Sequence, residues 1–171
     1  MTDNFAQDWP HRQEKTLPPK LLIVNPYHEK YMQIPMGAFG LCDYLTQAGI
    51  EARMINMSLY PYPTHETRLR AELSSYRPDM AGIVLHWKET LESSLHLAFM
   101  IKRWFPGVPV VMGGLTAGYF AEDLLDFWDE VDFVVRGDAE RALELLLRRS
   151  PPSEIPNLAY RGEDEEVCFG P

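Results

Sequence analysis

The chain alternates short apolar runs with longer amphipathic segments, and this alternation limits the folds open to it more than any other feature. The short runs are apolar almost throughout rather than at every second residue, which is typical of strands covered on both faces. Parallel strands lying between two layers of helices have this pattern. We therefore predict five parallel strands, at residues 21–25, 52–56, 80–85, 108–112 and 131–135.

The amphipathic segments between these runs predict helices at 36–48, 66–76, 90–105, 116–127 and 139–149. In the first helix, Phe39, Cys42 and Leu45 form an apolar stripe, so Cys42 is expected in the core, and Gly49 supplies the stop. Thr90 is an acceptable N-cap for the third. Five strand–helix repeats with short connections predict a three-layer α/β domain of flavodoxin-like (Rossmann-like) type, with strand order 2-1-3-4-5.

A length of 171 residues, 46% of them apolar, suits one folded domain. We expect a polar leader at 1–19, the α/β domain at 20–150, and a proline-rich link with a short hairpin at 151–171, formed by 157–161 and 167–169. An exposed hairpin that stops at Gly170 and Pro171 resembles the start of a linker towards a missing domain. Cys42 and Cys168 are too far apart in sequence to suggest a disulfide framework or metal cluster, which favours the cytoplasm.

Charge argues against two classes of partner. The formal net charge is −9, and no cluster of Lys or Arg stands out. Electrostatic binding to nucleic acid or to an anionic membrane is therefore not expected. No apolar run approaches the length that spans a bilayer.

In an open parallel sheet, ligands bind beyond the carboxyl ends of the strands. The loop after the first predicted strand lacks the Gly-x-Gly-x-x-Gly and Gly-x-x-x-x-Gly-Lys-[Ser/Thr] motifs of nucleotide sites. A phosphoryl-accepting receiver is excluded because Leu85, His86 and Trp87 stand where its aspartate belongs. Bulky Tyr27 and Tyr31 do not make the small, hydroxyl-rich loop of a flavodoxin. The sequence contains no recognisable arrangement of a nucleophile with a matching base. No catalytic residue and no metal ligand are therefore predicted.

Two glycine-containing turns remain as candidate sites. Gly113 and Gly114 lie where the fourth strand meets its helix, and they allow a ligand to approach the backbone and its free N–H groups. The segment 136–140 (Arg-Gly-Asp-Ala-Glu) repeats the arrangement after the fifth strand. The alternative is that both are ordinary strand-to-helix turns, with Asp138 as an N-cap and Glu140 as a first-turn acid.

Five segments in order resemble the N-terminal cobalamin-binding domain of cobalamin-dependent radical S-adenosylmethionine enzymes. The resemblance spans about residues 20–169. The segments are 35–49 (with Pro-Met-Gly-Ala-Phe-Gly-Leu at its start), 77–83 (Arg-Pro-Asp-Met-Ala-Gly-Ile), 110–114 (Val-Val-Met-Gly-Gly), 131–140 (Val-Asp-Phe-Val-Val-Arg-Gly-Asp-Ala-Glu) and 157–161 (Asn-Leu-Ala-Tyr-Arg).

Three departures from the family pattern bear on function. Gly137-Asp138-Ala139-Glu140 stands in place of the usual Gly-Glu-Gly-Glu. The Asp-x-His-x-x-Gly motif that provides an axial histidine is absent, although His28 follows the first strand, so the resemblance implies a histidine-off binding mode. The Cys-x-x-x-Cys-x-x-Cys motif is also absent. S-adenosylmethionine and a [4Fe–4S] cluster are therefore expected only in a missing domain, acting in cis or in trans.

The resemblance also implies roles for single residues. The nucleotide tail of cobalamin would pass Gly113 and Gly114, Thr116 and its helix N-terminus would receive the tail phosphate, and Tyr27, His86 and Trp87 would face the corrin. Gly137 and Asp138 complete the predicted cofactor set. Simpler roles stay open: His86 as a loop histidine, Trp87 as loop packing, His65 as a helix start, His96 as a structural or solvent-facing residue, and Tyr60 with Tyr62 as either a lid or a rigid exposed loop.

The expected function is a cobalamin-binding module that holds the corrin base-off and histidine-off for a radical S-adenosylmethionine partner, in methyl transfer or rearrangement. The chain alone would then have no turnover. The alternative is a cofactor-free docking or scaffold domain of the same fold. A stand-alone α/β enzyme would need a nucleophile or acid–base pair that the sequence does not show.

Overall fold

The structure, a computed structural model, describes residues 17–30, 32 and 34–171. Most of the predicted leader, together with Tyr31, lies outside them. The strands and helices are, in chain order, β1 (Lys20–Asn25), α1 (Met36–Gln47), β2 (Glu51–Asn56), α2 (His65–Tyr76), β3 (Met80–Val84), α3 (Leu91–Trp104), β4 (Val110–Gly113), α4 (Leu115–Tyr119), α5 (Ala121–Phe127), β5 (Phe133–Val135), α6 (Glu140–Leu147), β6 (Leu158–Arg161) and β7 (Val167–Phe169).

The sheet has the order β2-β1-β3-β4-β5-β6-β7, and its first five strands are parallel. The predicted order 2-1-3-4-5 is therefore confirmed. The hairpin, expected beyond the helix, is in fact part of the sheet, because β6 pairs antiparallel with β5 and β7 pairs antiparallel with β6. The antiparallel pairing returns the end of β7 to the edge where β5 ends.

Two apolar cores lie on opposite faces of the sheet, which confirms the three-layer architecture. Alternate residues of each strand point to opposite faces, so Leu22 and Val24 of β1 enter one core while Leu21 and Ile23 enter the other. The first core is closed by α2, α3, α4 and α5, and the second by α1 and α6. The face covered by α1 and α6 also contains the candidate site.

Local signals place the end of α1 as predicted. Gly49 has φ +79, and Ile50 N–H donates to Leu45 O at 2.9 Å, which ends the helix with a left-handed residue.

The apolar stripe of α1 is partly different from the prediction. Leu45 is buried and Cys42 half-buried, but Phe39 is 47% exposed, and Ala38 takes the core position one residue earlier.

The predicted helix 116–127 is two helices, with a break at Phe120 (φ −111, ψ 30). A Cβ on Gly118 would lie 3.5 Å from Arg136 Cα, so α4 approaches the end of β5 closely before α5 continues in a new direction.

Two predicted helix N-caps differ from the structure. The N-cap of α6 is Ala139 rather than Asp138, and Thr90, although it is the N-cap of α3, turns its hydroxyl back to Trp87 O at 2.8 Å.

At the amino edge of the sheet, polar contacts hold the start of β5. Asp132 is buried, accepts from Val110 N–H at 2.6 Å and pairs with Lys102 Nζ at 2.6 Å. Arg161 of β6 donates to the carbonyls of Val131 and Trp128. These contacts fix the sheet end opposite the candidate site. Among the described residues, no helix is long and apolar enough to cross a membrane.

Candidate functional site

Large apolar side chains are exposed at the carboxyl edge of the parallel strands. Soluble proteins rarely leave such residues grouped in water without a binding role. Seven that are more than half exposed lie between the end of β1, β2, β3 or β4 and the first residue of the helix that follows, so four connections supply exposed apolar area at this edge. They are Met32, Ile34, Met36, Leu59, Tyr62, Trp87 and Leu115.

The first glycine candidate, Gly114, has a structural role. Its φ is +117, and a Cβ there would lie 2.8 Å from Leu85 O and 3.0 Å from His86 N. The turn after β4 therefore packs backbone against backbone on the end of β3. Gly114 is required by this contact whether or not a ligand is nearby.

The turn after β4 also uses the N–H groups that were expected to receive a phosphate. Leu115 N–H points to His86 Nδ1 at 3.4 Å, Thr116 N–H donates to His86 O at 3.3 Å, and Ala117 N–H donates to Leu85 O at 3.1 Å. The Thr116 hydroxyl donates to His86 O at 2.9 Å. Thr116 and this five-residue helix are thus committed to holding the β3 and β4 loops together, and the phosphate role predicted for Thr116 gains no support.

Gly113 differs from its neighbour. A Cβ on Gly113 would meet no other atom within 4 Å, and its backbone is not in the left-handed region. Val111, two residues earlier, packs in the core under α1 and α6, so the missing side chain of Gly113 faces that same layer. Gly137 (φ +104) also faces open space, at the turn that leads into α6.

The open space continues along the exposed surface where α1 meets α6, and we call this surface the slot. Tyr44 of α1 reaches Glu144 of α6, and Gly40 and Gly37 precede Tyr44 by one and two turns, on the same stripe of the helix. A Cβ on either glycine would meet nothing within 4 Å. The slot therefore runs along the helix surface from Gly37 and Gly40, near the start of α1, to Tyr44, about 10 Å away at a rise of about 1.5 Å per residue. Gly37 and Gly40 belong to the segment 35–49 that carries the family resemblance, but no site role was predicted for them.

Polar side chains close the lower end of the slot. Tyr44 Oη donates to Glu144 Oε2 at 2.9 Å, and Glu144 also accepts from Arg141 at 2.9 Å and from Arg148 at 3.1 Å. Arg148 in turn donates to Ala48 O at the end of α1. The hydrogen bond from Tyr44, together with Arg141, holds the pKa of Glu144 below its ordinary value. The same hydrogen bond raises the pKa of Tyr44 above its ordinary value.

Tyr27 belongs to an aromatic wall on the other side of the edge. Its half-buried ring lies 5.0 Å from His65 and 5.7 Å from Tyr62, between ring centroids. His65 is buried at the start of α2, as the simpler interpretation predicted, and its Nε2 lies 2.9 Å from Tyr60 O. Tyr62 packs on this wall and is 64% exposed. Tyr27 therefore supports the rim, and its predicted contact with a corrin stays a prediction.

His86 and Trp87 lie at the edge, after β3. Both are exposed, and their rings meet edge to face at 4.8 Å between centroids. Arg136, after β5, places its guanidinium 4.7 Å from the ring centroid of Phe169 in β7, while Asp138 is exposed beside it. The hairpin therefore contributes to this end of the edge, which was not predicted from the sequence.

Other features do not compete with this site. Within the described residues, no group of three or more His, Cys, Asp or Glu is arranged to hold a metal ion. Burial and the neighbouring Asp43 raise the pKa of the Cys42 thiol. This direction agrees with a residue that packs in the core. His96 is solvent-facing, near Glu66. A shallow groove of about 400 Å³ lies between α2 and α3 and is lined by Glu66, Thr67, Arg70, Ala71, Ser74 and Trp104.

Comparison with known proteins gives this geometry a family context. The chain is 29% identical over 149 residues to the hopanoid C-3 methylase of Methylococcus capsulatus, an alignment that covers 81% of this chain and 28% of the methylase. The chain thus spans less than a third of the length of that relative.

Solved structures show the same fold. The radical S-adenosylmethionine methyltransferase TsrM from Kitasatospora setae, with cobalamin and a [4Fe–4S] cluster bound, matches 91% of this chain and 31% of its own length, with a TM-score of 0.78 and 20% identity. The cobalamin-dependent S-adenosylmethionine radical enzyme OxsB, with aqua-cobalamin and S-adenosylmethionine bound, matches 99% of this chain and 27% of its own length, with a TM-score of 0.78 and 14% identity.

A family model covers most of the folded chain. The B12-binding domain matches residues 29–147, from the loop after β1 to the end of α6. The match includes both walls of the slot and four of the loops at the apolar edge. The chain therefore belongs to the B12-binding domain family.

Proposed function

We propose that this chain holds cobalamin, base-off and histidine-off, at the carboxyl edge of its sheet for use by a radical S-adenosylmethionine partner domain. One observation carries the proposal: Gly37, Gly40, Gly113 and Gly137 leave open space beside their backbones, and exposed apolar residues follow the parallel strands, in a member of the B12-binding family. The corrin would rest on the edge, and the nucleotide tail would enter the slot.

The chemistry of these residues fits the cofactor. A corrin is a broad, nearly neutral ring edged with amides, so it needs apolar area and scattered hydrogen-bond partners rather than a charged clamp. Ile34, Met36 and Trp87 supply exposed apolar area on the rim. Leu41, Val84 and Ala139 are partly buried against the core under α1 and α6, and they would form apolar walls for a flat aromatic base.

Buried amides position the loops that would carry the corrin. Asn25 Nδ2 donates to Asn56 Oδ1 at 3.0 Å, which ties the end of β1 to the end of β2. Asn56 Oδ1 also accepts from Ser58 N–H, and the Ser58 hydroxyl donates to Pro26 O. The loops after β1 and β2 are thus held by hydrogen bonds before any ligand arrives, which lowers the ordering cost of binding.

The proposed cobalt environment follows from the loop after β1. His28 Nδ1 accepts from Lys30 N–H at 3.2 Å, so one ring nitrogen of the only histidine in that loop has a backbone partner. The Asp-x-His-x-x-Gly arrangement that orients an axial imidazole is missing. When bound, cobalamin would supply a cobalt centre able to carry a methyl group or change oxidation state. The residues of the chain would bind it, orient it and exclude water from its lower side.

The partner domain would supply S-adenosylmethionine and the [4Fe–4S] cluster. Two cysteines, Cys42 and Cys168, cannot provide the three thiolates of such a cluster. Pro171 O accepts from Asn157 N–H at the β5 end of the sheet, so residue 171 lies at the same edge as the site. A partner domain docking on this edge would meet the exposed face of the corrin.

Electron paramagnetic resonance of the cob(II)alamin-loaded chain tests the binding mode. We expect no nitrogen superhyperfine splitting from an axial ligand, and identical spectra for wild type, His28→Ala and His86→Ala. Splitting that disappears in one of these variants would identify that histidine as a ligand and overturn the histidine-off assignment. Splitting that persists in both would point to the lower base of the cofactor and overturn the base-off assignment.

A second experiment separates binding from catalysis. After iron and sulfide reconstitution, the chain should hold no stoichiometric cluster and should yield no 5′-deoxyadenosine from S-adenosylmethionine and dithionite beyond a protein-free control. Reproducible formation of that nucleoside would contradict the division of labour proposed above. A folded chain that retains no corrin would instead support the cofactor-free docking domain.

A further inference from the structure

The outer face of α5 has two phenylalanines that the corrin site does not use. The helix buries Ala121, Leu124 and Leu125 in the first core, yet Phe120 is 52% exposed and Phe127 is 73% exposed. These two rings are seven residues apart, so they lie on one side of the helix, about 10 Å from each other at a rise of about 1.5 Å per residue. The outer face of a surface helix is ordinarily polar, and grouped exposed aromatic side chains mark interaction sites.

Carboxylates surround these rings. Residues 121–130 include five acidic residues, the hairpin turn 162–166 includes four, and neither segment has a Lys or Arg. The two segments are neighbours, because α5 packs against β6 and β7 and because Arg161, just before the turn, donates to the carbonyls of Leu125 and Trp128. The other acidic residues of the chain equal its Lys and Arg in number, 16 each, so the whole formal charge of −9 resides here. We call residues 120–130 and 162–166 the α5 surface.

The acidic part of the α5 surface lies at the sheet end opposite the corrin site. Phe127 ends α5, its ring meets Trp128 edge to face at 6.1 Å between centroids, and β5 begins five residues later. Since β5 and β6 are antiparallel, the start of β5 and the end of β6 meet at the same edge. A protein bound there would leave the loops at the carboxyl edge open.

We propose that the α5 surface docks a basic amphipathic helix of a partner protein. A second copy of the same surface is disfavoured, because nine carboxylates would face nine. The carboxylates do not form a cation site, since no group of three or more His, Cys, Asp or Glu among the described residues is arranged to hold a metal ion. This docking is separate from cofactor binding and does not depend on it.

The pattern along α5 specifies the partner helix. Asp123 is exposed, three residues after Phe120 and four before Phe127, so a carboxylate stands between the two rings on one stripe. A helix that packs lengthwise on this stripe therefore needs two apolar residues one heptad apart, with a Lys or Arg between them and further basic residues on its flanks. Burial of the phenylalanines supplies most of the affinity, whereas the charges set orientation and association rate.

The test uses a synthetic peptide of Ala, Lys and Leu that carries Leu at every seventh residue with Lys midway between, and a control peptide with the same residues in scrambled order. Titration of each peptide into the apo chain, followed by ¹⁵N–¹H nuclear magnetic resonance, reports both affinity and location. We expect the shift changes to centre on 120–130 and 162–166, and the scrambled peptide to bind at least about tenfold more weakly. Equal affinity for both peptides, or shift changes confined to the loops at the carboxyl edge, would overturn the proposal.

Variants separate the aromatic contribution from the charge. Phe127→Ser should weaken peptide binding by roughly tenfold or more, whereas Phe99→Ser, at a 45% exposed phenylalanine of α3, should bind as wild type. Unchanged binding by Phe127→Ser would contradict the proposal.

Asp126→Lys/Asp164→Lys should slow association and reduce its dependence on salt, because both carboxylates belong to the α5 surface. Glu29→Lys/Glu154→Lys has the same net charge, changes exposed acids elsewhere, and should have a smaller effect. Equal effects of the two double variants, or a dimer of the chain that Phe127→Ser abolishes, would overturn the proposed partner. Retention of cobalamin should be the same in Phe127→Ser and wild type, so a negative result here leaves the proposed function standing.

Discussion

Replacement of Gly113 by Val tests the slot with little disturbance of the fold. The new side chain would project into space where no atom lies within 4 Å, on the face closed by α1 and α6. A β-branched residue suits a strand end, and Gly in a strand already costs roughly 0.5–1 kcal/mol relative to Ala. We expect the melting temperature of the apo chain to change by less than about 4 °C, given roughly 2–4 °C per kcal/mol for a chain of this size.

The same isopropyl group would obstruct the proposed path of the nucleotide tail. Overpacking a closely fitted site costs about 1–3 kcal/mol. We therefore expect cobalamin affinity to fall roughly 5- to 150-fold. Gly113→Ala, which adds one methyl group, should fall between wild type and Gly113→Val.

Gly114→Ala is the informative comparison. Its φ of +117 and the 2.8 Å approach of the added Cβ to Leu85 O make even alanine strained. Strain and overpacking of about 1–3 kcal/mol each predict a melting temperature lower by roughly 4–24 °C. Calorimetric melting and equilibrium dialysis of cobalamin measure the two effects separately. Unchanged cobalamin affinity in a folded Gly113→Val protein would refute the assignment of the tail to this slot.

Two further predictions concern the ion pairs. Lys102→Met should lower the melting temperature by roughly 6–20 °C, because it leaves the buried Asp132 carboxylate without its cation at a cost of about 3–5 kcal/mol. A drop under 3 °C would contradict this expectation. Restored stability in the double variant Lys102→Met/Asp132→Asn would support it. The folded-state pKa of Glu144 is lowered. The contribution of its carboxylate to the free energy of unfolding is therefore present above the ordinary glutamate pKa and is lost as the pH falls through the lowered pKa. The melting-temperature gap between wild type and Glu144→Gln should therefore narrow from pH 7 to pH 3, and a constant gap would contradict that pKa shift.

The main architecture was predictable because strand and helix periodicity, turn residues and chain direction agree along the sequence. Parallel strands with short connections leave few arrangements, and the order of the first five strands follows from them. The helix stop at Gly49 and the position of His65 at the start of α2 were also predictable, because their signals are local in sequence. These features depend on residues close together in the chain.

The features that were missed depend on distant contacts. The break at Phe120 reflects the approach of Gly118 to Arg136, which no local pattern contains. The β6–β7 hairpin joins the sheet by pairing with β5, a partner that the sequence does not identify. Short segments therefore predicted the right elements but not all of their neighbours.

The residues predicted for the candidate site lie at the carboxyl edge of the sheet, their binding role stays a prediction, and their local geometry was only partly predictable. Gly113 and Gly114 looked equivalent in sequence, yet one faces open space and the other packs on Leu85. The spacing of Gly37, Gly40 and Tyr44 at one and two helical turns was a usable signal for the slot. The Tyr44 contact with Glu144 was not, because it joins residues 100 positions apart.

Retention of hydroxocobalamin by the purified chain tests the central claim most directly. The chain is mixed with excess cofactor, desalted, and its visible spectrum recorded against its protein concentration. We predict close to one corrin retained per chain. A folded protein that elutes without any corrin absorption would contradict the claim that this domain binds cobalamin.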